Sequence, residues 1–116
     1  MRCYKVDKGG TAEVIEIEAT LDAFYKAIGC DCIDITIRMV EGHPFEVIVD
    51  DNGWFGNPIV TAIDARAFEA NLVGTLLVFG CGDEEVRGLT DEEVEILEDR
   101  TYYVANQNHR ELLIVD

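Results

Sequence analysis

The sequence contains no serine, and histidine occurs only at positions 43 and 109 of its 116 residues. The absence of serine excludes a serine hydrolase and the G-x-S-x-G turn that carries the nucleophile in many of them. A cysteine nucleophile needs a histidine that a third group orients, and neither His43 nor His109 stands at a spacing that indicates such a pair. The sequence therefore identifies no reaction and predicts no catalytic residue, although a pair formed only by folding would leave no sequence signal.

Basic residues are also scarce, because nine Lys and Arg stand against 24 Asp and Glu, which gives a net charge of −15 at pH 7. Each phosphate contact of a nucleic-acid-binding protein uses a Lys or an Arg, so this balance argues against nucleic acid and anionic membranes as direct partners. A basic protein surface, or a protein that itself binds nucleic acid, is attracted instead. The alternative interpretation is that the charge serves only solubility.

No apolar run reaches the roughly 18 residues that span a bilayer, and the N-terminal segment MRCYKVDKGG lacks the apolar part of a secretory signal. Both absences predict a cytoplasmic location, in which thiols stay reduced. We therefore expect structural thiols at Cys3, Cys30, Cys32 and Cys81. Residues 30–32 form a CxC pair instead of CxxC, and no spacing of Cys and His indicates a metal site.

The motifs that bind common cofactors are missing. The segment GCGDEE has glycines but lacks the Lys and the Ser or Thr of a phosphate-binding loop, and G-x-G-x-x-G does not occur. The acids of VDDNG, at residues 49–53, do not have the spacing of a calcium loop. We predict that the protein uses no cofactor and no metal.

Hydrophobic periodicity predicts the elements of the first third of the chain. Residues 2–6 and 12–18 alternate as two strands of a hairpin that a glycine turn joins. Thr20 is placed to cap a helix over residues 21–28, and Gly29 is placed to end it. The apolar stripe of that helix consists of Leu21, Phe24, Tyr25 and Ile28.

The remaining segments predict more strands and one further helix. Residues 33–39 and 45–50 alternate and form a second hairpin across a turn at 41–44. In the first of these strands the residues expected to face the core are Ile33, Ile35, Ile37 and Met39. Residues 63–72 are compatible with a short helix that lacks a clean cap, and the apolar run at 74–80 is typical of a central strand.

Length and even composition predict a single domain over residues 1–116, in which 101–116 is a C-terminal extension. Within this extension, residues 102–104 are compatible with an extended segment and residues 112–115 with a last strand. The expected fold class is α+β, with a mainly antiparallel sheet of about five to six strands and two helices.

The second predicted helix concentrates acid in the segment GLTDEEVEILEDR, at residues 88–100. Thr90 and Glu93 form a capping box, so helix initiation explains part of this acid. Glu98 and Asp99 lie at the helix end where the dipole disfavours acid. We therefore hypothesise a surface that binds a basic protein partner, with a competing interpretation as a solvated helix face. The candidate residues are Asp91, Glu92, Glu95, Glu98, Asp99, Glu84, Glu85 and Trp54.

Trp54 lies in a turn, either as an exposed anchor for a partner or as an aromatic that folds over the core, which is the more frequent outcome. The leading hypothesis is a non-catalytic acidic interaction protein, of the type that inhibits a restriction or CRISPR nuclease by mimicking DNA. One alternative is a small-ligand-binding or enzymatic domain with a pocket around Asn57, Asp64 and His109. Another is a structural accessory protein or a homodimer.

Five segments carry a resemblance that covers roughly residues 4–98. They read YKVDKGGTAEVIEIEATLDAFYKAIGC, VIVDDNG, NPIVTAI, LVGTLLVFG and LTDEEVEIL. In this order they resemble the domain of unknown function 3846 family, small proteins of phages, mobile elements and gut bacteria. The chain departs from the family at GCDC, where a second glycine often follows the helix, and 101–116 has no counterpart. The resemblance implies an association with mobile elements, but no activity, cofactor or functional residue.

Overall fold

The computed structural model describes residues 1–83, 85–104 and 109–115, and over these ranges the chain forms two helices and nine strands. The first half contains β1 (Arg2–Val6), β2 (Ala12–Glu16), α1 (Leu21–Ile28), β3 (Ile33–Val40) and β4 (His43–Asp50). The second half contains β5 (Val60–Asp64), β6 (Glu69–Val73), β7 (Leu76–Gly80), α2 (Asp91–Asp99), β8 (Thr101–Val104) and β9 (His109–Ile114). The predicted α+β class is confirmed.

The strands form two sheets instead of one. The larger sheet has the order β2-β1-β7-β4-β3, and all of its neighbours pair antiparallel. The smaller sheet has the order β6-β5-β9-β8, in which only β5 and β9 run parallel. Both predicted hairpins are confirmed, with Arg2 opposite Glu16 and Val40 opposite His43. The apolar run at 74–80 supplies β7, the central strand of the larger sheet, as predicted.

The larger sheet is covered on both faces, and its alternating residues divide between two clusters. On one face Val47 and Val78 pack with residues of the smaller sheet and with Leu97 of α2. On the other face Leu77 and Phe79 pack against α1. This division explains why β7 is buried at every position, because a strand covered on both sides has no solvent-exposed face.

Helix α1 forms as the local signals predict. The Thr20 hydroxyl accepts a hydrogen bond from the Ala23 N–H at 3.2 Å, and Gly29 ends the helix with φ 81°. Phe24 and Ile28 are buried, and the Phe24 and Phe79 rings meet edge to face at 5.5 Å. Leu21 departs from the predicted stripe, since it lies in the first turn of the helix and is 58% exposed.

The helix expected over residues 63–72 is wrong, because these residues form the β5–β6 hairpin. Ala62 and Leu72 are partners across the hairpin and both face the core. Asp64 builds the turn, since its Oδ1 accepts the Arg66 N–H at 2.8 Å and its carbonyl accepts the Phe68 N–H at 2.8 Å. An uncapped helix of that length is marginal, so burial of one sheet face against the larger sheet decides the structure.

Strand β3 alternates as predicted, but half of its expected core residues are exposed. Ile33 packs beside α1, whereas Ile35 and Ile37 are 52% and 56% exposed. The reason is that β3 lies at the edge of the larger sheet, while α1 is only about 12 Å long and packs on β4 and β7. On the opposite side of β3, Thr36 and Arg38 are half-buried, whereas Asp34 is exposed.

The C-terminal segment adds two strands to the smaller sheet, one over the segment predicted to be extended and one at the predicted last strand. Thr101–Val104 forms β8, and the last strand begins at His109, earlier than the predicted 112. Strand β9 is internal, since it pairs with both β5 and β8. Within the described ranges, neither helix has the length and apolar character needed to cross a membrane.

Candidate functional site

The acid at the start of α2 is structural. The Thr90 hydroxyl accepts the Glu93 N–H at 3.2 Å and the Glu93 carboxylate accepts the Thr90 N–H at 2.9 Å, so the predicted capping box is confirmed. The Arg87 guanidinium also donates to both Glu93 oxygens, at 2.7 and 2.9 Å. The Arg87 hydrogen bonds, with help from Thr90, lower the pKa of Glu93 to about 2 in spite of its burial.

Gly80 makes room for the Arg87 side chain. A Cβ at position 80 would lie 2.2 Å from an Arg87 guanidinium nitrogen, so a larger residue there requires the end of the Arg87 side chain to shift. The backbones of Gly80 and Arg87 also bond to each other, at 3.0 and 3.2 Å. Gly80, at the end of β7, thereby supports the start of α2.

Asp91 also has a cation partner. Its carboxylate accepts a hydrogen bond from Arg2 at 2.8 Å, and Arg2 further donates to the Leu89 carbonyl at 2.7 and 2.9 Å. The salt bridge is exposed and therefore contributes little stability. It does compensate the charge of Asp91, so this residue adds less to the negative field than the sequence suggests.

The other four predicted acids of α2 form one uncompensated surface. Glu92, Glu95, Glu98 and Asp99 are exposed, and in the part of the chain that the structure describes none of them pairs with a cation. At 100° per residue the four side chains fall within an arc of about 120°. We refer to these four residues as the acidic face of α2.

The end of α2 does not neutralise that face. Arg100 is directed to Glu41 in the β3–β4 turn, at 2.6 Å, and not back to the helix. The Thr101 hydroxyl donates to the Leu97 carbonyl at 2.8 Å and satisfies one of the last backbone acceptors. No basic residue lies in the last turn. Glu98 and Asp99 therefore stand at the negative end of the helix dipole without a salt bridge to any of the described residues.

The predicted acids of the preceding loop are only partly placed. Glu85 is exposed, and Glu84 lies outside the described residues.

The sequence did not indicate that Tyr102 and Tyr103, which directly follow α2, are 52% and 53% exposed. The four-residue length of β8 and its edge position explain their exposure. The Arg110 guanidinium lies 5.4 Å from the centre of the Tyr103 ring.

Trp54 does not join the acidic face of α2. The turn of the β3–β4 hairpin lies beside the end of α2, through the Arg100–Glu41 pair, whereas Trp54 follows the opposite end of that hairpin. The side chain is 58% exposed, so the expectation that it folds over the core is wrong. The structure thus separates Trp54 from the acids with which the sequence grouped it.

Trp54 lines a cleft of about 180 Å³ between the edges of the two sheets, which we call the inter-sheet cleft. Its polar lining consists of Asp34, Thr36, Arg38, Asp50, Asp51 and Asn71. Arg38 crosses the cleft and donates to the Asn71 amide oxygen at 2.8 Å. Three carboxylates against one arginine make the cleft acidic.

The pocket suggested around Asn57, Asp64 and His109 does not form. Asn57 lines a separate open cavity of about 400 Å³ with Lys8, and neither of the other two residues borders it. Asp64 is used in the β5–β6 turn. His109 is buried, with its Nε2 3.0 Å from Glu111.

The cysteines are free thiols that do not cluster around a metal. Cys3 is fully buried, and burial raises its pKa to about 12, so it stays a neutral thiol. Over the described ranges, no three His, Cys, Asp or Glu side chains come close enough to hold a metal ion.

The sequence model of a family described as Domain of unknown function (DUF3846) matches residues 1–102. The matched part runs from β1 through α2, so it contains the acidic face of α2 and all of β3, and it ends before β9. No curated protein and no solved structure matches the chain.

Proposed function

We propose that this chain, which belongs to the domain of unknown function 3846 family, binds a basic protein surface through the acidic face of α2. The observation that carries the proposal is the position of Glu98 and Asp99. Acid in the last turn costs a helix roughly 0.3–1 kcal/mol per residue, and Arg100 is directed to Glu41 instead of compensating it. A solvated helix does not need acid at that end, whereas a surface that attracts cations does.

The spacing of the charges favours a partner that itself binds nucleic acid. The acidic face spans residues 92–99, a rise of about 10 Å with one uncompensated carboxylate per roughly 3.5 Å. Successive phosphates on one strand of duplex DNA lie about 3.4 Å apart along the axis. A cationic groove that accepts DNA therefore also fits this helix, which is the basis for proposing inhibition of a restriction or CRISPR nuclease.

Ligand binding in the inter-sheet cleft has weaker support. Its volume of about 180 Å³ lies below the roughly 300–1,000 Å³ of ordinary ligand pockets. Its arginine is already bonded to Asn71. A ligand that used this arginine would have to break its hydrogen bond to Asn71, whereas binding by the exposed acids of α2 breaks no existing contact.

The test compares two double variants of equal net charge. Glu95→Lys with Glu98→Lys reverses the acidic face, whereas Glu13→Lys with Glu18→Lys reverses two exposed acids near β2. Each immobilised protein is incubated with host lysate at low and at high salt, and retained proteins are identified by mass spectrometry. We expect wild type and the Glu13/Glu18 variant to retain a nucleic-acid enzyme at low salt. Added duplex DNA is expected to displace this enzyme from both proteins. The α2 variant is expected not to retain it.

Equal retention by both variants would show that only total charge matters, and the proposal would then fail. Retention of no nucleic-acid enzyme by wild type would also refute it. The α2 variant is expected to be at least as stable as wild type, because Lys at position 98 suits the helix dipole. Loss of binding is then not explained by unfolding.

A further inference from the structure

Strand β3 presents the longest edge in the described part of the fold. It has eight residues, whereas the other edge strands β2, β6 and β8 have five, five and four. Its register with β4 runs without a bulge from Ile33 opposite Asp50 to Val40 opposite His43. Proteins usually protect such edges by shortening, bulges or proline, because an open edge is a template for another strand. Strand β3 has none of these three protections.

The backbone of β3 offers its hydrogen-bonding groups on that edge. The Cys32 carbonyl accepts the Asp51 N–H at 3.0 Å, so even-numbered residues point toward β4. The Met39 carbonyl accepts the Val115 N–H at 2.8 Å on the other side, so odd-numbered residues point away. Ile35 therefore directs its N–H and C=O to the edge, and no described residue bonds to either group.

The two sides of this edge differ in chemistry. On the α1 side, Ile35 and Ile37 are each more than half exposed and form a small apolar surface. On the other side, Asp34, Thr36 and Arg38 line the inter-sheet cleft with Trp54. Side chains of a neighbouring strand alternate in the same way, so an added strand contacts isoleucine with one set of residues and the acidic cleft with the other.

We propose that the β3 edge binds an extended segment of a partner protein in which apolar and basic residues alternate. The apolar residues cover Ile35 and Ile37, and the Lys or Arg residues meet the carboxylates and the Trp54 ring of the inter-sheet cleft. Val115 occupies the edge at Met39, and the Arg38 guanidinium donates to the Ile37 carbonyl at 3.0 Å. The added segment therefore pairs with the groups from Ile33 to the Ile37 N–H, a length of about 17 Å.

The charge of the chain selects this occupant over a second copy. Two copies bring net charges of −15 together, and the one arginine of the cleft is engaged by Asn71. A basic segment is attracted by the same field that repels a second copy. The proposal concerns a different surface from the acidic face of α2 and does not depend on it.

The probe is a fluorescent synthetic peptide of about nine residues in which Val and Lys alternate, compared with a scrambled peptide of the same composition. We expect the alternating peptide to bind at least tenfold more tightly in fluorescence anisotropy. In hydrogen exchange it is expected to protect the amides of Ile35 and Ile37 and not those of β2. Equal affinity of the two peptides, or unchanged exchange at Ile35, overturns the proposal.

N-methylation tests the strand pairing directly, because it removes the donors on one edge of the peptide. Methylating the Val residues blocks an antiparallel pair and leaves a parallel one, while methylating the Lys residues does the reverse. We expect one of the two peptides to lose at least tenfold in affinity and the other to bind normally. Equal affinity of the two methylated peptides is incompatible with strand addition.

Protein variants complete the test. Ile35→Lys and Ile37→Lys are expected to weaken peptide binding about tenfold or more, and Ile35→Thr, which retains β propensity, to weaken it less. The matched control is Leu21→Lys, an equally exposed apolar residue on α1, which is expected to bind as wild type does. Equal weakening by all three Lys variants overturns the proposal.

Analytical ultracentrifugation of the protein without peptide tests whether a second copy of the chain occupies the β3 edge. A dimer in which the Ile35 amide is already protected would show that a second copy fills the edge, and the proposal of a partner segment would be wrong. The Glu95/Glu98 and Glu13/Glu18 double variants are expected to bind the peptide equally. This outcome separates failure at β3 from failure of the proposed function at α2.

Discussion

Glu93→Gln is expected to lower the free energy of unfolding by about 3 kcal/mol at neutral pH. The carboxylate of Glu93 is 11% exposed and receives both hydrogen bonds of the Arg87 fork together with the Thr90 N–H. Glutamine still accepts from Thr90, but it has no charge and presents an amide N–H₂ to a guanidinium that can only donate. The substitution therefore removes one half of a partly buried ion pair and leaves the other half unpaired.

The magnitude follows from the pKa of Glu93, which is lowered from 4.5 to about 2 by Arg87 and Thr90. A difference of about 2.5 pKa units corresponds to roughly 3 kcal/mol of extra stability for the ionised folded state. Because the folded pKa is the lower one, this stability is fully present above about pH 4.5 and is lost as the pH falls toward 2. The difference in free energy of unfolding between wild type and the Glu93→Gln variant should disappear over the same pH range.

The assay is urea unfolding of wild type and variant at a series of pH values from 7 down to about 2. Glu92→Gln is the matched control, since Glu92 is the exposed neighbour on the same helix, and its effect should stay within about 0.5 kcal/mol. Comparing each variant with wild type cancels the titration of the other carboxylates. A Glu93 effect that does not change with pH, or that equals the Glu92 effect, would refute this account of the Arg87–Glu93 pair.

Three further substitutions test other parts of the structure, each by urea or thermal unfolding. Gly80→Ala is expected to lower stability by no more than Glu93→Gln does, because the new methyl group makes the end of the Arg87 side chain shift, and a wild-type value would contradict that packing. Leu97→Ala leaves a cavity under α2, where Leu97 is fully buried, and should cost about 2–5 kcal/mol. Glu98→Lys should raise stability by roughly 0.3–1 kcal/mol, since it replaces acid with base in the last turn of α2, and a loss of stability would show that the dipole argument is wrong.

Local signals predicted the helix starts well, because the interactions that cap a helix join residues only three or four positions apart. Thr20 with Ala23 and Thr90 with Glu93 are such pairs, and both form as expected. The β3–β4 hairpin is likewise a near-neighbour structure whose register follows from its turn and alternation. The acidic face of α2 could be predicted for the same reason, since helical geometry alone places its residues together.

The errors lie where the decisive contact is distant in sequence. Residues 63–72 carry a weak local preference for helix, and burial of Ala62 and Leu72 against the larger sheet overrides it. Ile35 and Ile37 alternate like core residues, but whether a strand is central or at an edge depends on the order of all the strands. Trp54 lies at the inter-sheet cleft and is 58% exposed, and the periodicity did not indicate that the strands divide into two sheets.

The sequence by itself determined the strongly negative charge, the two capped helices, the β1–β2 and β3–β4 hairpins and the line of acid along α2. Each of these depends on composition or on residues a few positions apart. Only the tertiary structure decided which acids remain without a salt bridge. Arg2 pairs with Asp91 and Arg87 pairs with Glu93. Arg100 pairs with Glu41 and not with an acid of α2. The tertiary structure also decided that β3 is an open edge between an apolar surface and an acidic cleft. Both outcomes depend on which distant segments meet, and that is set by the burial of both faces of the larger sheet.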